Sequence, residues 1–249
     1  MYNPFSLEHK KILVTGASSG IGRGISIDTS KMGASLIVTA RNEERLKDTM
    51  SFLEGKDHSY VIADLSFEDD INRIVDSLPV IDGIVLSAGM IKTMPVKNIS
   101  SKAIDEIFDV NIISNIKLLS KLLKRKKLAH SASIVLISSV STFNVKVGNS
   151  LYSSTKGAMN SFAKAMALEV AKLKIRVNCI QPGFIPSNIL NKSGIEEDSM
   201  LRWYAERHPL GFGTPTDIAN ACIYLLSDAA QWVTGLSLIH ISEPTRLGM

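Results

Sequence analysis

The chain is poor in the residues that build covalent or metal scaffolds. Only two cysteines occur among 249 residues, Cys179 and Cys222, each inside an apolar segment. That argues against a disulfide framework and for two reduced, buried thiols in a protein of the cytoplasm. Five scattered histidines, without close Cys or His spacing, leave no transition-metal signature, so no metal is expected. The opening MYNPFSLEHKKILVTG holds no long apolar stretch, so neither a secretory leader nor a membrane anchor is expected. Linkers, low-complexity tracts and internal repeats are missing too. With 45% hydrophobic and 21% charged residues, residues 1–249 read as one domain with enough chain for a sizeable core. The formal charge is a modest +4. Its densest expression is Lys121, Lys124, Arg125, Lys126 and Lys127, at an expected helix end where cations suit the helix dipole. The run reads as a solvated helix terminus, against an acidic or nucleic-acid partner. No aromatics interleave with it to stack bases, so nucleic acid is not expected.

What is present is an alternation of short apolar strands with helical segments. Strands are expected at 11–15, 35–39, 59–62, 83–86, 133–137, 175–180 and 237–241. Helices are expected at 23–31, 42–52, 67–77, 104–126, 150–170 and from Thr214 to Leu226. This order predicts an α/β fold: a single-domain, Rossmann-type, doubly wound parallel β-sheet flanked by helices on both faces. Between the first strand and helix lies TGASSGIG, residues 15–22. Absent side chains at Gly16, Gly20 and Gly22 let a pyrophosphate approach the helix N-terminus, and this strand–turn–helix context favours a phosphate cradle over an ordinary glycine turn. Three residues follow the first glycine, unlike GxGxxG.

About 20 residues beyond such a turn an acidic side chain would hold the bare ribose of NAD. Here Ala40 and Arg41 follow the second strand. Arginine can pair with a 2′-phosphate, so NADP (NADPH) is favoured over NAD, although Arg41 could also be a surface residue at a strand end. Ser19 could add a hydroxyl. After the third strand, Asp64 can accept from an adenine amine and Leu65 can cover the ring; Asp64 could equally open a helix, with Ser66 and Asp69 as its capping residues. Ser87, Ala88 and Gly89 follow the fourth strand and would let cofactor ribose and backbone come close.

The chemistry concentrates in YSSTK, residues 152–156. On a helix, Tyr152 and Lys156 share a face about 6 Å apart, and a nearby cation favours ionisation of a phenol that ordinarily titrates near pH 10. Alone, this pattern is a buried ring beside a surface lysine. Ser139 ends the fifth strand 13 residues earlier, where ligands gather in open α/β sheets. Asn111, between Val110 and Ile112, needs a partner; a core amide bonding backbone and a water-positioning asparagine both fit. Residues 184–214 interrupt the pattern between a strand and a helix and are expected to form a substrate lid, with apolar Ile189, Leu190, Met200, Leu201, Trp203 and Phe212. Small residues along 150–170 suit either internal packing or a subunit contact.

The pieces TGASSGIG, Asp64-Leu65, Ser87-Ala88-Gly89, Asn111, Ser139, YSSTK, Arg176-Val177-Asn178, PGFIPS at 182–187 and SDAAQWVTG at 227–235 together resemble the classical short-chain dehydrogenase/reductase family, nearly to Leu238. Within it the chain is most similar in general pattern to 3-oxoacyl-acyl-carrier-protein reductases. The resemblance implies a reversible, nicotinamide-dependent exchange between a carbonyl and an alcohol, with Asn111, Ser139, Tyr152 and Lys156 catalytic. It also implies a phosphate loop of Gly16, Ser18, Gly20, Ile21 and Gly22, and a nicotinamide-side segment containing Pro182, Gly183, Ile185 and Ser187. The implied substrate is a 3-oxoacyl thioester, free or bound to an acyl carrier protein, or a sugar, polyol, steroid or other small ketone. The implied assembly is a homodimer or homotetramer. A non-catalytic nicotinamide-binding subunit is the rival of a different class. Ser87 stands where the family has Asn. His240-Ile241-Ser242-Glu243 stands in place of VDGG, making 240–249 an atypical tail that bears on assembly.

Overall fold

A strand such as Ile12-Leu13-Val14 has no polar face, so it has to be covered on both sides. The computed structural model describes residues 2–186, 208 and 210–241. In it β1 (Lys11–Thr15), β2 (Ser35–Ala40), β3 (Ser59–Ile62), β4 (Ile81–Leu86), β5 (Leu128–Ile137), β6 (Arg176–Pro182) and β7 (Ser237–Ile241) form one sheet in the order β3-β2-β1-β4-β5-β6-β7. Every neighbouring pair is parallel. The order reverses beside β1, opening the crevice between β1 and β4 where doubly wound sheets take ligands.

Alternate strand residues feed two cores. Leu13, Ile84, Leu136 and Cys179 pack under α3 (Glu68–Ser77), α5 (Ser114–Lys124) and α6 (Ser150–Glu169) through Ile71, Leu118, Leu122, Met159 and Ala163. Ile12, Val14, Leu36, Val85 and Ile180 pack under α1 (Gly20–Lys31), α2 (Glu43–Ser51) and α7 (Pro215–Leu226) through Ile25, Leu46, Ile218 and Cys222. The fold is the Rossmann-type arrangement expected from the alternation.

Several boundaries differ from expectation. The helix expected over 104–126 is α4 (Ser101–Phe108), a π-helical turn at Asp109–Ile113, and then α5. One wide turn places Asn111 at its middle, and the Asn115 side chain donates to the Asn111 carbonyl at 2.9 Å. The strands β4 and β5 start earlier than their apolar cores, with a register irregularity between Ile81 and Gly83. At α7 the expected start is complete: Thr214 and Asp217 form a capping box with proline at the first turn. The Ser66 and Asp69 cap does not form. Phe67 is the N-cap of α3 without a side-chain bond, and Asp70 instead accepts from the Asp64 N–H at 2.7 Å.

The basic run fastens α5 to its neighbours. Lys121 pairs with Glu68 at 2.8 Å, Arg125 pairs with Asp76, and Lys127 donates to the Leu78 carbonyl. Among the described residues no helix is long and apolar enough to cross a membrane, and no group of three or more His, Cys, Asp or Glu could hold a metal ion.

Candidate active site

Among the described residues singled out from sequence, Gly16, Arg41, Asp64, Ser87 and Ser139 lie just beyond the carboxyl ends of β1 to β5. Thr15, closing β1, accepts from the N–H groups of Ser87 and Ala88 at 3.1 Å each, which draws the ends of β1 and β4 together. Gly16 has φ +68° and sits so close to this join that a Cβ would come within 2.8 Å of the Ala88 Cα. Only glycine satisfies both conditions. The backbone of the Ser87-Ala88-Gly89 triplet is thus anchored by Thr15, whatever side chain residue 87 carries.

The loop is then pinned from the other side. Ala17 N–H donates to the Thr39 carbonyl at 3.2 Å, and Thr49 of α2 donates to the Ala17 carbonyl at 2.9 Å. Ser18 and Ser19 complete the turn. Ser19 is the N-cap of α1 and makes no side-chain capping bond, and the first turn of α1 contains no acid. Gly20 has φ +53° and nothing within 4 Å of where its Cβ would be. Gly22 is the reverse, because a Cβ there would lie 2.4 Å from the Gly16 carbonyl oxygen. Ile21 packs against the core beneath. An uncapped helix N-terminus with open space at Gly20 fits a pyrophosphate, so the residues present suit a dinucleotide.

Further along the crevice, Arg41 is exposed and pairs with Asp64. Burial pushes the Asp64 carboxyl up, but this is outweighed by the backbone N–H and hydroxyl of Ser66 and by the Arg41 guanidinium, which hold it below the usual carboxylate range. Leu65 is buried against Ile71 and its neighbours in the core.

On the other side of the crevice, α6 presents Tyr152 and Lys156. Lys156 is 5% exposed; its Nζ donates to the Ile137 carbonyl at 2.7 Å and lies 5.7 Å from the centroid of the Tyr152 ring. Burial pulls this ammonium from its ordinary 10.5 down to about 8. Asn111 is fully buried. Its Oδ1 accepts from Met90 N–H at 2.8 Å, and its Nδ2 donates to the Met90 carbonyl at 2.9 Å and to Thr155 Oγ1 at 3.0 Å. Gly89 lies over both, since a Cβ there would be 3.3 Å from Asn111 Oδ1 and 3.7 Å from Lys156 Nζ. Ser139 caps a short 3₁₀ turn, Val140–Thr142, and its Oγ accepts from the Ser141 N–H at 3.1 Å. With that lone pair engaged, the hydroxyl proton can be given to another oxygen.

Pro182 ends β6, followed by Gly183, Phe184 and Ile185. The two ends of the 184–214 insertion are tied: Phe184 N–H donates to His208 Nε2 at 2.9 Å, and the Phe184 and Phe212 rings stack edge-on at 5.1 Å. Ser187, with Ile189, Leu190, Met200, Leu201 and Trp203, lies outside the described residues, as does 242–249 of the tail.

A family model described as enoyl-(acyl carrier protein) reductase matches residues 16–240. The chain belongs to the short-chain dehydrogenase/reductase family. It is 30% identical over 237 residues to the 3-oxoacyl-[acyl-carrier-protein] reductase FabG of Rickettsia felis, covering 95% of this chain and 96% of that one. A solved short-chain type dehydrogenase/reductase from Mycobacterium ulcerans superposes with TM-score 0.83 at 30% identity, over 94% of this chain and 88% of its own. A crystal structure with bound NADP, of an Agrobacterium tumefaciens protein provisionally described as a 2-deoxy-D-gluconate 3-dehydrogenase, gives TM-score 0.84 at 30% identity, over 95% and 96% of the two chains. As a short-chain dehydrogenase/reductase the protein is an NAD(P)-dependent oxidoreductase.

Around this site, several supports escaped the sequence reading: Met90, whose backbone takes both ends of the Asn111 amide, Thr155, and the Ile137 carbonyl. Thr155 had a signal, being the residue three after Tyr152 on the face shared with Lys156. The carbonyl of Ile137 had none, because any residue supplies one.

Proposed function

We propose that this short-chain dehydrogenase/reductase reduces a carbonyl group with NADPH, Tyr152 delivering the proton. The observation that carries this reading is the buried Lys156 ammonium 5.7 Å from the centre of the Tyr152 ring. The phosphate loop of Gly16, Ser18, Ser19, Gly20, Ile21 and Gly22 holds the pyrophosphate. Asp64 and Leu65 hold the adenine, and Arg41 selects the 2′-phosphate, giving NADP preference over NAD. Ala88, Gly89, Pro182, Gly183 and Ile185 border the nicotinamide half. When bound, the nicotinamide supplies the hydride.

The chain's own residues manage the oxygen. Ser139 donates a hydrogen bond to the carbonyl as negative charge develops there, a contribution strongest in a dry, preorganised site. Tyr152 gives its proton to the same oxygen, and the positive charge of Lys156 favours that transfer. Lys156 also holds the nicotinamide ribose. The Asn111 side chain is committed to Met90 and Thr155, so its part in placing a water on the proton path falls to its carbonyl, one lone pair of which takes the Asn115 amide and the other the water. The substrate lid expected at 184–214 lies for the most part outside the described residues.

The substrate class we favour is a 3-oxoacyl thioester, which the FabG relative supports. A small sugar acid is the second reading, favoured by the similarity to the Agrobacterium tumefaciens structure. Assembly as a homodimer or homotetramer belongs to the same proposal. A panel containing the acetoacetyl thioester of N-acetylcysteamine, aldonates, polyols and hydroxysteroids, followed at the reduced nicotinamide absorbance with both cofactors, tests substrate and cofactor together. Tyr152→Phe is expected to bind NADPH as the wild type does while losing about 10²- to 10⁴-fold in turnover. Near wild-type turnover in that variant would remove Tyr152 from the role.

A further inference from the structure

Behind Ser139 lies a buried polar group that the chemistry above does not use. Thr142 Oγ1 lies 2.7 Å from Gln181 Oε1, 3.2 Å from the Ser139 carbonyl oxygen and 3.5 Å from Asn160 Nδ2. One hydroxyl proton thus faces two acceptors. Gln181 comes from β6, one residue before Pro182, and is fully buried. Its Nε2 has no hydrogen-bond partner, and the same holds for Asn160 Oδ1 and Ser141 Oγ among the described residues. An amide donor sealed in without an acceptor weakens the fold, and an apolar side chain of the same length would fit the place better. Packing therefore does not account for a glutamine here.

We propose, resting on the role given to Ser139 above, that Thr142 and Gln181 are positioning residues for Ser139. Thr142 shares its one proton between Gln181 Oε1 at 2.7 Å and the Ser139 carbonyl at 3.2 Å, a three-centre contact that holds the short turn Val140–Thr142 against the end of β6. That turn supplies the Ser141 N–H that occupies one lone pair of Ser139 Oγ. The orientation of the Ser139 hydroxyl, and so its readiness to donate to a carbonyl oxygen, is set by this chain of contacts. Gln181 also couples Ser139 to the Pro182-Gly183 segment through adjacent backbone.

The experiment compares Thr142→Val, Thr142→Ser and Gln181→Met with the wild type on whichever panel carbonyl the wild type reduces fastest. It records kcat, KM, NADPH affinity and thermal midpoint. Thr142→Val and Gln181→Met are expected to lower kcat by about tenfold with KM and NADPH affinity within about twofold, Gln181→Met melting no lower than the wild type. Thr142→Ser, which keeps the hydroxyl, is expected to restore kcat. The deciding arm is the pair with Ser139→Ala: once the Ser139 hydroxyl is gone, adding Thr142→Val is expected to lower kcat by less than about twofold more. A full second tenfold loss in that double variant, unchanged kcat in Thr142→Val or Gln181→Met, or no restoration by Thr142→Ser overturns the assignment. If Ser139→Ala alone keeps wild-type turnover, the catalytic reading of Ser139 fails instead, and the two failures are told apart.

Discussion

Arg41 and Asp64, which follow β2 and β3, form an ion pair with Nη1 3.5 Å from Oδ2. Two residues expected to touch different parts of one cofactor therefore touch each other. The Arg41 side chain is 71% exposed and that of Asp64 27%, so the pair is solvated and worth little to stability. Its consequence is positional: the guanidinium is held at the mouth of the crevice by a partner weak enough for a doubly charged phosphate to displace.

Arg41→Ala is accordingly expected to raise the KM for NADPH by about tenfold or more, about 1.4 kcal/mol of lost discrimination, and to leave the KM for NADH within about twofold. Steady-state kinetics with both cofactors measure it. Equal changes for the two would mean that Arg41 does not meet a 2′-phosphate.

Gly16 and Gly20 have similar positive φ but different surroundings, and this separates folding from binding. Gly16→Ala meets both the left-handed strain and the Ala88 backbone at 2.8 Å, whereas Gly20→Ala meets only the strain. Gly20→Ala is expected to lose about 1–2 kcal/mol in urea unfolding, and Gly16→Ala clearly more. NADPH affinity, followed by nicotinamide fluorescence, is expected to fall by about tenfold or more in Gly20→Ala, because the added methyl occupies the space a phosphate would take. Wild-type affinity in Gly20→Ala would remove the pyrophosphate from that place.

The parallel sheet was legible in the sequence because its strands are short, apolar throughout and separated by helical segments, a pattern that demands cover on both faces. That Gly16 and Ser139 share one end of the sheet was legible because each follows a strand, and the 13 residues from Ser139 to Tyr152 bring the helix of Tyr152 and Lys156 back to the same crevice; Asn111, inside a helical pattern, reads as either a core amide or a water-positioning one. What stayed hidden was of two kinds. The π-helical turn at Asn111 depends on a single widened turn in a continuous helical pattern, which periodicity cannot register. The supports of the site are backbone groups, Ile137 O and Met90 N and O, that carry no residue-type signal. Asp64 was ambiguous rather than hidden: a carboxylate after a strand reads as a cofactor contact or a helix start, and the fold gives it Ser66 and Arg41 as partners without a helix cap.

The buried ammonium of Lys156 leads to a pH dependence whose sign can be worked out. Its folded pKa is about 8 against an ordinary 10.5, so between those values the unfolded chain binds more protons and stability rises with pH. Over the whole window the gain is about 3 kcal/mol. Two thiols oppose it: burial pushes Cys179 from 9.0 up to about 12 and Cys222 further in the same direction, so above pH 9.0 only the unfolded state releases these protons and stability falls. Wild-type stability is therefore expected to climb between about pH 8 and 9 and then turn over. The lysine contribution is isolated by urea unfolding of the wild type beside Lys156→Met. Their difference is expected to move in favour of the wild type by about 3 kcal/mol from pH 7 to 10.5, with Cys222 cancelling and Cys179, which interacts with Lys156, kept protonated by burial in the folded state of both over this range. A flat difference would mean that the ammonium is not desolvated in the fold. Turnover is expected to run the other way, kcat/KM falling as pH rises through about 8, because the proton whose loss relieves the folded state is the charge that favours proton transfer from Tyr152.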